Sequence, residues 1–288
     1  MRISSLFERK KTVLSFEVFP PKKTSPIETI YNTLEELKGL KPDFISVTYG
    51  AGGNAGDTAT SDIAHAIKHQ YGIEPLAHLT CVNDRKQEIS QVLDRLENSG
   101  IENILALRGD INPNITPKNE FMYACELVEF IRDRGGFHLS GACYPEGHIN
   151  ALSLEEDILN LKKKVDAGVE HLISQLFFDN SYFYSFIDRA REAGITVPIE
   201  AGIMPVTNKA QIERMVTLCG ASLPSKFAKM MQRFEHSPEA LRDAGIAYAI
   251  DQIVDLISQG VEGIHLYTMN NPYIARKISE SISGMIQV

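Results

Sequence analysis

The sequence predicts an α/β fold, a (βα)8 TIM barrel with extra helices before the last strand, and three observations lead there. Short apolar runs rich in β-branched residues alternate with amphipathic stretches, the pattern of repeated βα units and a parallel sheet. Eight such runs occur, the first seven starting roughly every 25 to 35 residues, as in a barrel of this kind. The length, 288 residues, suits an architecture that takes about 250 residues or more. An open doubly wound sheet is the alternative for the same repeat.

In chain order the strands are read at 13–19, 44–49, 75–81, 104–108, 139–144, 172–177, 197–204 and 263–268. The first ends at Pro20-Pro21, which cannot continue a ladder. Helical patterns follow at 26–38, 58–71, 85–98, 120–134, 153–167, 181–193 and 272–283, several opening on Pro or Ser, which suit a helix start. A longer helical insertion, about 208–259, precedes the eighth strand. No linker, low-complexity tract or long charge run divides the chain, so residues 1–288 are read as one barrel domain.

Composition excludes several classes. A net charge of −8 and a pI near 5.5 leave no basic footprint for nucleic acid. Cys81, Cys125, Cys143 and Cys219 form no C-x-x-C pair, and residues 1–16 carry Arg9, Lys10 and Lys11 after only a few apolar residues, unlike a signal peptide. No apolar run approaches the ~20 residues of a membrane span. The expectation is an unprocessed, cytoplasmic protein with reduced thiols.

In a barrel, chemistry collects at the carboxyl ends of the strands. Those positions hold Glu17, Thr48, Tyr49, His78, Thr80, Arg108, Gly109, Asp110, Tyr144, Gln175 and Tyr267, a polar rim expected over an apolar barrel. Glu17 sits in an otherwise apolar strand, where partial desolvation favours the protonated form and suits proton donation near neutral pH. The plainer alternative is a salt bridge to a neighbour such as Lys22. Arg108-Gly109-Asp110 sets a cation and an anion beside a glycine that lets a ligand approach the backbone, suited to a polar heterocycle; an ordinary ion pair at a turn is the alternative.

Other motifs are set aside. Gly50-Ala51-Gly52-Gly53-Asn54-Ala55 matches a dinucleotide fingerprint, but it follows the second strand, and Glu74, at about the right distance, precedes the third instead of ending it. His65 and His69 lack the Glu of a zinc protease helix and read as surface histidines, and Cys81 and Cys143 read as packed thiols, so no metal is expected. There is no G-x-S-x-G elbow.

Nine blocks, in order, resemble the methylenetetrahydrofolate reductase family in its compact bacterial form: Ser15 to Lys22, Ser46 to Ala51, His78 to Cys81, Ala106 to Asp110, Tyr144 to His148, Leu161 to Gly168, Gln175 to Asp179, Gly202 to Val206 and His265 to Asn270. The resemblance implies a barrel that binds FAD without a Rossmann domain and reduces methylenetetrahydrofolate by ping-pong hydride transfer from NAD(P)H. It implies Glu17 as the general acid toward folate N10 and Asp110 as the charge that steadies the iminium ion so formed. Thr48 and Gln175 would meet nicotinamide, and Glu17, Asp110, Gln175 and Gln211 would meet folate.

For FAD the family pattern falls on Tyr49, Ala51, His78, Arg108, Gly109, Asp110, Ala124, Tyr144, His148, Ala151, Asp157, Asn160, Lys163 and Lys164. This chain departs from many relatives at Lys163, at Met215 in place of a stacking aromatic ring, and at Asn271 in place of a folate-binding arginine, with Arg276 further on. The expected assembly is a homo-oligomer. Rival readings are a flavin-free pterin methyltransferase and a reductase fed electrons by a partner subunit.

Overall fold

A computed structural model describes residues 1–21, 24–49, 58–110 and 118–287. Its elements are α1 (Ser4–Phe7), β1 (Val13–Val18), α2 (Glu28–Lys38), β2 (Phe44–Val47), α3 (Ala59–His69), β3 (Glu74–Thr80), α4 (Lys86–Asn98), β4 (Asn103–Leu107), α5 (Ala124–Arg134), β5 (His138–Cys143) and α6 (Leu154–Ala167). They continue with β6 (His171–Ser174), α7 (Asn180–Glu192), β7 (Ile199–Ile203), α8 (Lys209–Cys219), α9 (Ser225–Phe234), α10 (Pro238–Ser258), β8 (Gly263–Tyr267) and α11 (Pro272–Ile286). The eight strands close into a parallel barrel in sequence order. Ser15 on β1 pairs in register with His265 on β8, and Glu17 with Tyr267.

Each expected strand is present, shifted by up to three residues at its ends, most at the sixth, which stops at Ser174 instead of 177 as the chain leaves the ladder for its βα loop. The expected helix at 120–134 starts later, at Ala124. The Glu126 carboxylate accepts from the backbone N–H groups of Met122 at 2.5 Å and Tyr123 at 3.3 Å, which holds 122–123 extended ahead of the first turn. The insertion resolves into α8, α9 and α10, with Pro238 at the start of α10, where its missing N–H costs no bond.

One expectation is corrected: the barrel is not apolar inside. Successive strand residues point to opposite faces, so side chains of one parity on each strand meet along the barrel axis. That parity here includes Ser15, Ser46, His78, Asn103, His138, Ser140, His171, Glu200 and His265, all buried. Reading each strand as one apolar run concealed them. One group inside is apolar, where Val13, Phe44, Leu76, Leu105 and Ile173 pack with Ile3 and Leu6. Those last two belong to the α1 segment, an element missing from the sequence reading, which plugs the amino-terminal end of the barrel. The backbone N–H of Ile3 donates to Asn103 Oδ1 at 3.0 Å, and that of Ser4 to His138 Nε2 at 3.3 Å.

The larger apolar core lies between strands and helices. A second cluster, with Phe178, Phe227, Met231 and Leu241, seats the insertion beside the carboxyl ends of β6 and β7. Among the described residues no helix is long and apolar enough to cross a membrane.

Candidate active site

Glu17 stands next to last in β1, at the carboxyl end of the barrel. Its side chain is 19% exposed, and its Oε2 lies 3.6 Å from the Nε2 of both His78 on β3 and His265 on β8. The backbone around it is fixed. Thr268 Oγ1 donates to Glu17 O at 2.6 Å, while Asn270 exchanges two hydrogen bonds with the backbone of Phe19 at 2.8 and 3.0 Å. Burial pushes the His78 imidazole down to about 4, against the pull of Glu17. Tyr267 is raised well above the usual phenol range by burial, then by the Glu17 charge, and it donates to Ser174 O at 2.8 Å. The partners of Glu17 are thus two imidazoles; Lys22, the lysine named as an alternative, lies outside the described residues.

Nine of the expected cofactor residues line one cleft of about 460 Å³ between the ends of β4 and β5 and the start of α6: Arg108, Ala124, Tyr144, His148, Ala151, Asp157, Asn160, Lys163 and Lys164. Ser153 opens α6 by accepting from Glu156 N at 3.2 Å, a cap typically contributing about 1 kcal/mol. The helix then carries Asp157, Asn160, Lys163 and Lys164 past the cleft. Lys164 donates one hydrogen bond, to Ala142 O at 2.7 Å, and burial lowers its pKa. Lys163 is exposed and donates to Asn160 Oδ1 at 3.0 Å.

Asp157 accepts from the backbone N–H of His148 at 3.1 Å, and burial raises its pKa despite that bond. Tyr144, raised to about 12 by burial, meets the His148 ring edge to face at 4.7 Å. The apolar wall includes Leu107, Ala142 and Leu161.

Thr48 and Tyr49 follow β2, half-buried. Gln175 follows β6, where its Oε1 accepts from Leu176 N at 2.9 Å. Gln211 lies in the first turn of α8, its N–H bonded to the capping side chain of Asn208 at 2.8 Å. Asp110 is exposed at the end of β4, and its charge reaches Tyr144, His148 and Cys219. Gly109 is also required by the backbone. Its φ is +85°, and a Cβ there would sit 2.9 Å from Thr80 Cβ, so the turn itself demands glycine. Ala51 and the rest of the Gly50–Ala55 motif lie outside the described residues. Glu74 faces the opposite end of the barrel, where it accepts from Asn103 Nδ2 at 2.9 Å and Lys68 at 3.2 Å.

Asn271 serves as the cap of α11, accepting from Ile274 N at 3.4 Å. Arg276 faces outward, 3.2 Å from Glu36 on α2. Met215 packs partly buried against the insertion's own core. Among the described residues no group of three or more potential ligands could hold a metal. His65 and His69 are exposed on α3, and Cys81 and Cys143 are buried thiols, both pushed up by burial, Cys81 to about 12.

The sequence reading gave no role to His265 or Glu200. For Glu200 a signal was present: a glutamate inside the apolar run Ile199–Ile203, the same feature that singled out Glu17.

A family model described as methylenetetrahydrofolate reductase matches residues 2–283. The chain is 38% identical over 269 residues to the 5,10-methylenetetrahydrofolate reductase of Escherichia coli (strain K12), covering 93% of this chain and 90% of that one. It is 34% identical over 284 residues to methylenetetrahydrofolate reductase (NADH) 1 of Arabidopsis thaliana, covering 93% of this chain and 48% of that one. Among solved structures, an uncharacterized protein from Clostridium thermocellum, described as binding two copies of 5-methyl-5,6,7,8-tetrahydrofolic acid, superposes with a TM-score of 0.68 at 13% identity, covering 99% of each chain; this likeness concerns the fold.

Proposed function

Because the chain belongs to the methylenetetrahydrofolate reductase family, whose members reduce methylenetetrahydrofolate to methyltetrahydrofolate, we propose that it does so in two half-reactions at the strand ends, using FAD and NAD(P)H, with Glu17 as proton donor. The observation that carries this reading is the placing of Glu17, a shielded carboxyl at the barrel mouth between two imidazoles.

The cleft fits the cofactor chemically. Arg108, Lys163 and the half-buried Lys164 offer cationic donors to a diphosphate, and the one hydrogen bond from Lys164 to Ala142 O leaves N–H groups for an anion. Asp157 and Asn160 would hold ribitol or ribose hydroxyls, while Tyr144 would pack on a ring. Tyr49, His78, Gly109 and Asp110 would complete the site nearer the barrel axis, with Ala124 and Ala151 at its edges; Ala51, the remaining cofactor residue that the resemblance implies, lies outside the described residues. FAD, when bound, supplies the redox chemistry that moves hydride from NAD(P)H to the folate methylene carbon.

The chain's own residues handle protons, charge and position. Glu17 gives a proton to folate N10, which opens the bridging ring to an iminium ion. Asp110 sets negative charge where that cation develops. Gln175 and Thr48 orient nicotinamide, and Gln175 and Gln211 orient folate, so one pocket serves both substrates in turn. Four free cysteines fit a reducing, cytoplasmic compartment.

The test is anaerobic mixing of the purified protein with NADH and with NADPH. The expected result is a yellow protein that bleaches and then recovers its colour on addition of methylenetetrahydrofolate. A protein that stays colourless after growth with riboflavin overturns the cofactor assignment. Bleaching only in the presence of a second protein shows a partner subunit to be the electron donor. A sedimentation measurement on the same preparation tests the homo-oligomer.

A further inference from the structure

Below Glu17 the barrel buries a second carboxyl. Glu200 on β7 is wholly buried, and its side chain crosses β8 to reach β1. The crossing is possible because position 263 is glycine: a Cβ there would lie 2.5 Å from Glu200 Cγ. At the far side Glu200 Oε1 is 3.0 Å from Ser15 Oγ. Ser15 Oγ is in turn 2.6 Å from His265 Nδ1, and His265 Nε2 is 3.6 Å from Glu17 Oε2 and 3.4 Å from Ser46 Oγ.

The polar and charged groups facing Glu200 are few. Ser15 comes from β1, His265 from β8, and His171 from β6, with Nε2 3.2 Å from Glu200 Oε2. That pair lacks hydrogen-bond alignment, so Oε2 has no hydrogen-bond partner. Asp43, ahead of β2, adds negative charge at longer range. Burial pushes Glu200 up to about 8 and the His171 imidazole down to about 3. At neutral pH, therefore, the carboxyl holds its proton and His171 is neutral.

We propose that Glu200 is a positioning residue that exchanges one proton with Glu17 through Ser15 and His265, restoring the acid spent at the strand ends. This inference rests on the reading of Glu17 as proton donor. In the first arrangement Glu200 donates to Ser15 Oγ, Ser15 donates to His265 Nδ1, and the N–H at Nε2 faces the Glu17 carboxylate. One proton then moves along each of the three links. Glu200 becomes a carboxylate accepting from Ser15, Ser15 accepts from the N–H now at Nδ1, and Glu17 becomes the acid. The net change is one proton from Glu200 to Glu17, with the imidazole's proton count and every bond between heavy atoms unchanged; once product leaves, the partly exposed Glu17 takes a proton from water and the reverse transfer recharges Glu200. The last link must shorten by about half an ångström to reach hydrogen-bond distance, a small turn for the partly exposed Glu17 side chain.

Two measurements on the substrate-free wild-type protein test the coupling. A carbonyl stretch of a protonated, buried carboxylic acid should disappear in the infrared as pH rises through about 8. Over the same range ¹⁵N NMR should show His265 changing from its Nε2–H to its Nδ1–H tautomer. A tautomer that does not change overturns the proposal, even if no variant folds. In E200Q, which keeps the shape and cannot release a proton, the tautomer should stop responding to pH. Its kcat should fall about tenfold near pH 7 to 8 with the folate KM unchanged, a modest share of what proton delivery contributes. E200D should recover part of that loss. Wild-type kcat at every pH in a folded E200Q would show Glu200 to be structural only. If instead E17Q keeps full folate reduction while the His265 tautomer still follows Glu200, the reading of Glu17 fails and the coupling stands.

Discussion

The Nε2 of His78 stands 3.6 Å from Glu17 Oε2 across the barrel mouth, and burial holds that imidazole neutral down to about pH 4. A cation at this spot would favour the Glu17 carboxylate and oppose the proton-donor role proposed for it. A neutral ring adds no such bias.

E17Q should therefore separate the two half-reactions. In the proposed scheme hydride transfer from nicotinamide to flavin needs no proton from this residue, so bleaching should proceed as in the wild type. Reoxidation by methylenetetrahydrofolate should slow by at least the ~10²–10⁴-fold that a positioned general acid contributes. Stopped-flow traces showing wild-type reoxidation would place the donor elsewhere.

Asp110 is exposed, and its charge reaches Tyr144 and His148. D110N removes that charge at nearly constant shape. The flavin midpoint potential should rise, because an anion disfavours the reduced, anionic ring, and folate reduction should slow as the iminium loses its counter-charge. An unchanged potential together with an unchanged folate step would leave Asp110 as a turn residue.

Lys164 is the half-buried cation of the cleft. K164M keeps much of its length and apolar stem but removes the charge-assisted hydrogen bonds, each contributing about 1.5–3 kcal/mol. FAD affinity, read by fluorescence titration of the stripped protein, should weaken roughly ten- to a hundredfold. Wild-type affinity would remove Lys164 from the diphosphate site.

The buried network also predicts how stability follows pH. His78, His138 and His171 are held down by burial to about 4, 3 and 3, from 6.5 unfolded. Below pH 6.5 the unfolded chain takes up protons that these folded histidines refuse, so stability falls with falling pH. Glu200 acts oppositely: raised from 4.5 to about 8, it loses stability as pH rises between those values. Each uncompensated proton changes stability by about 1.4 kcal/mol per pH unit. Below 6.5 three histidines outweigh one glutamate, for a net loss of about 3 kcal/mol per unit, and above 6.5 Glu200 alone drives a gentler decline. Urea titrations should show a maximum near pH 6.5, and E200Q should flatten the alkaline side. A wild-type profile level from pH 6.5 to 8 would contradict the raised Glu200.

The order of strands and helices was legible in the sequence because each βα unit carries its own periodicity, apolar in the strand and amphipathic in the helix. Glu17, Arg108, Asp110 and Tyr144 were legible as candidates for a related reason, whereas the cleft residues on α5 and α6 were named only through the family resemblance. In a parallel barrel every strand delivers its carboxyl end to the same rim, so a polar residue there is placed by topology alone. The α1 plug was not legible, since one helical turn has too few residues to show a period.

What only the tertiary structure decided is which polar side chains meet inside the barrel. Ser15 and His265 are 250 positions apart, and nothing local to either predicts their 2.6 Å approach; closing β8 against β1 creates it. Glu200 reads by itself as one carboxylate in an apolar strand. It acquires a path toward Glu17 because strand parity turns it inward and the missing side chain at Gly263 leaves a passage across β8. Periodicity along a chain records which face of a strand is buried. The partner found on that face is set by the register of neighbouring strands and by the volume their side chains leave.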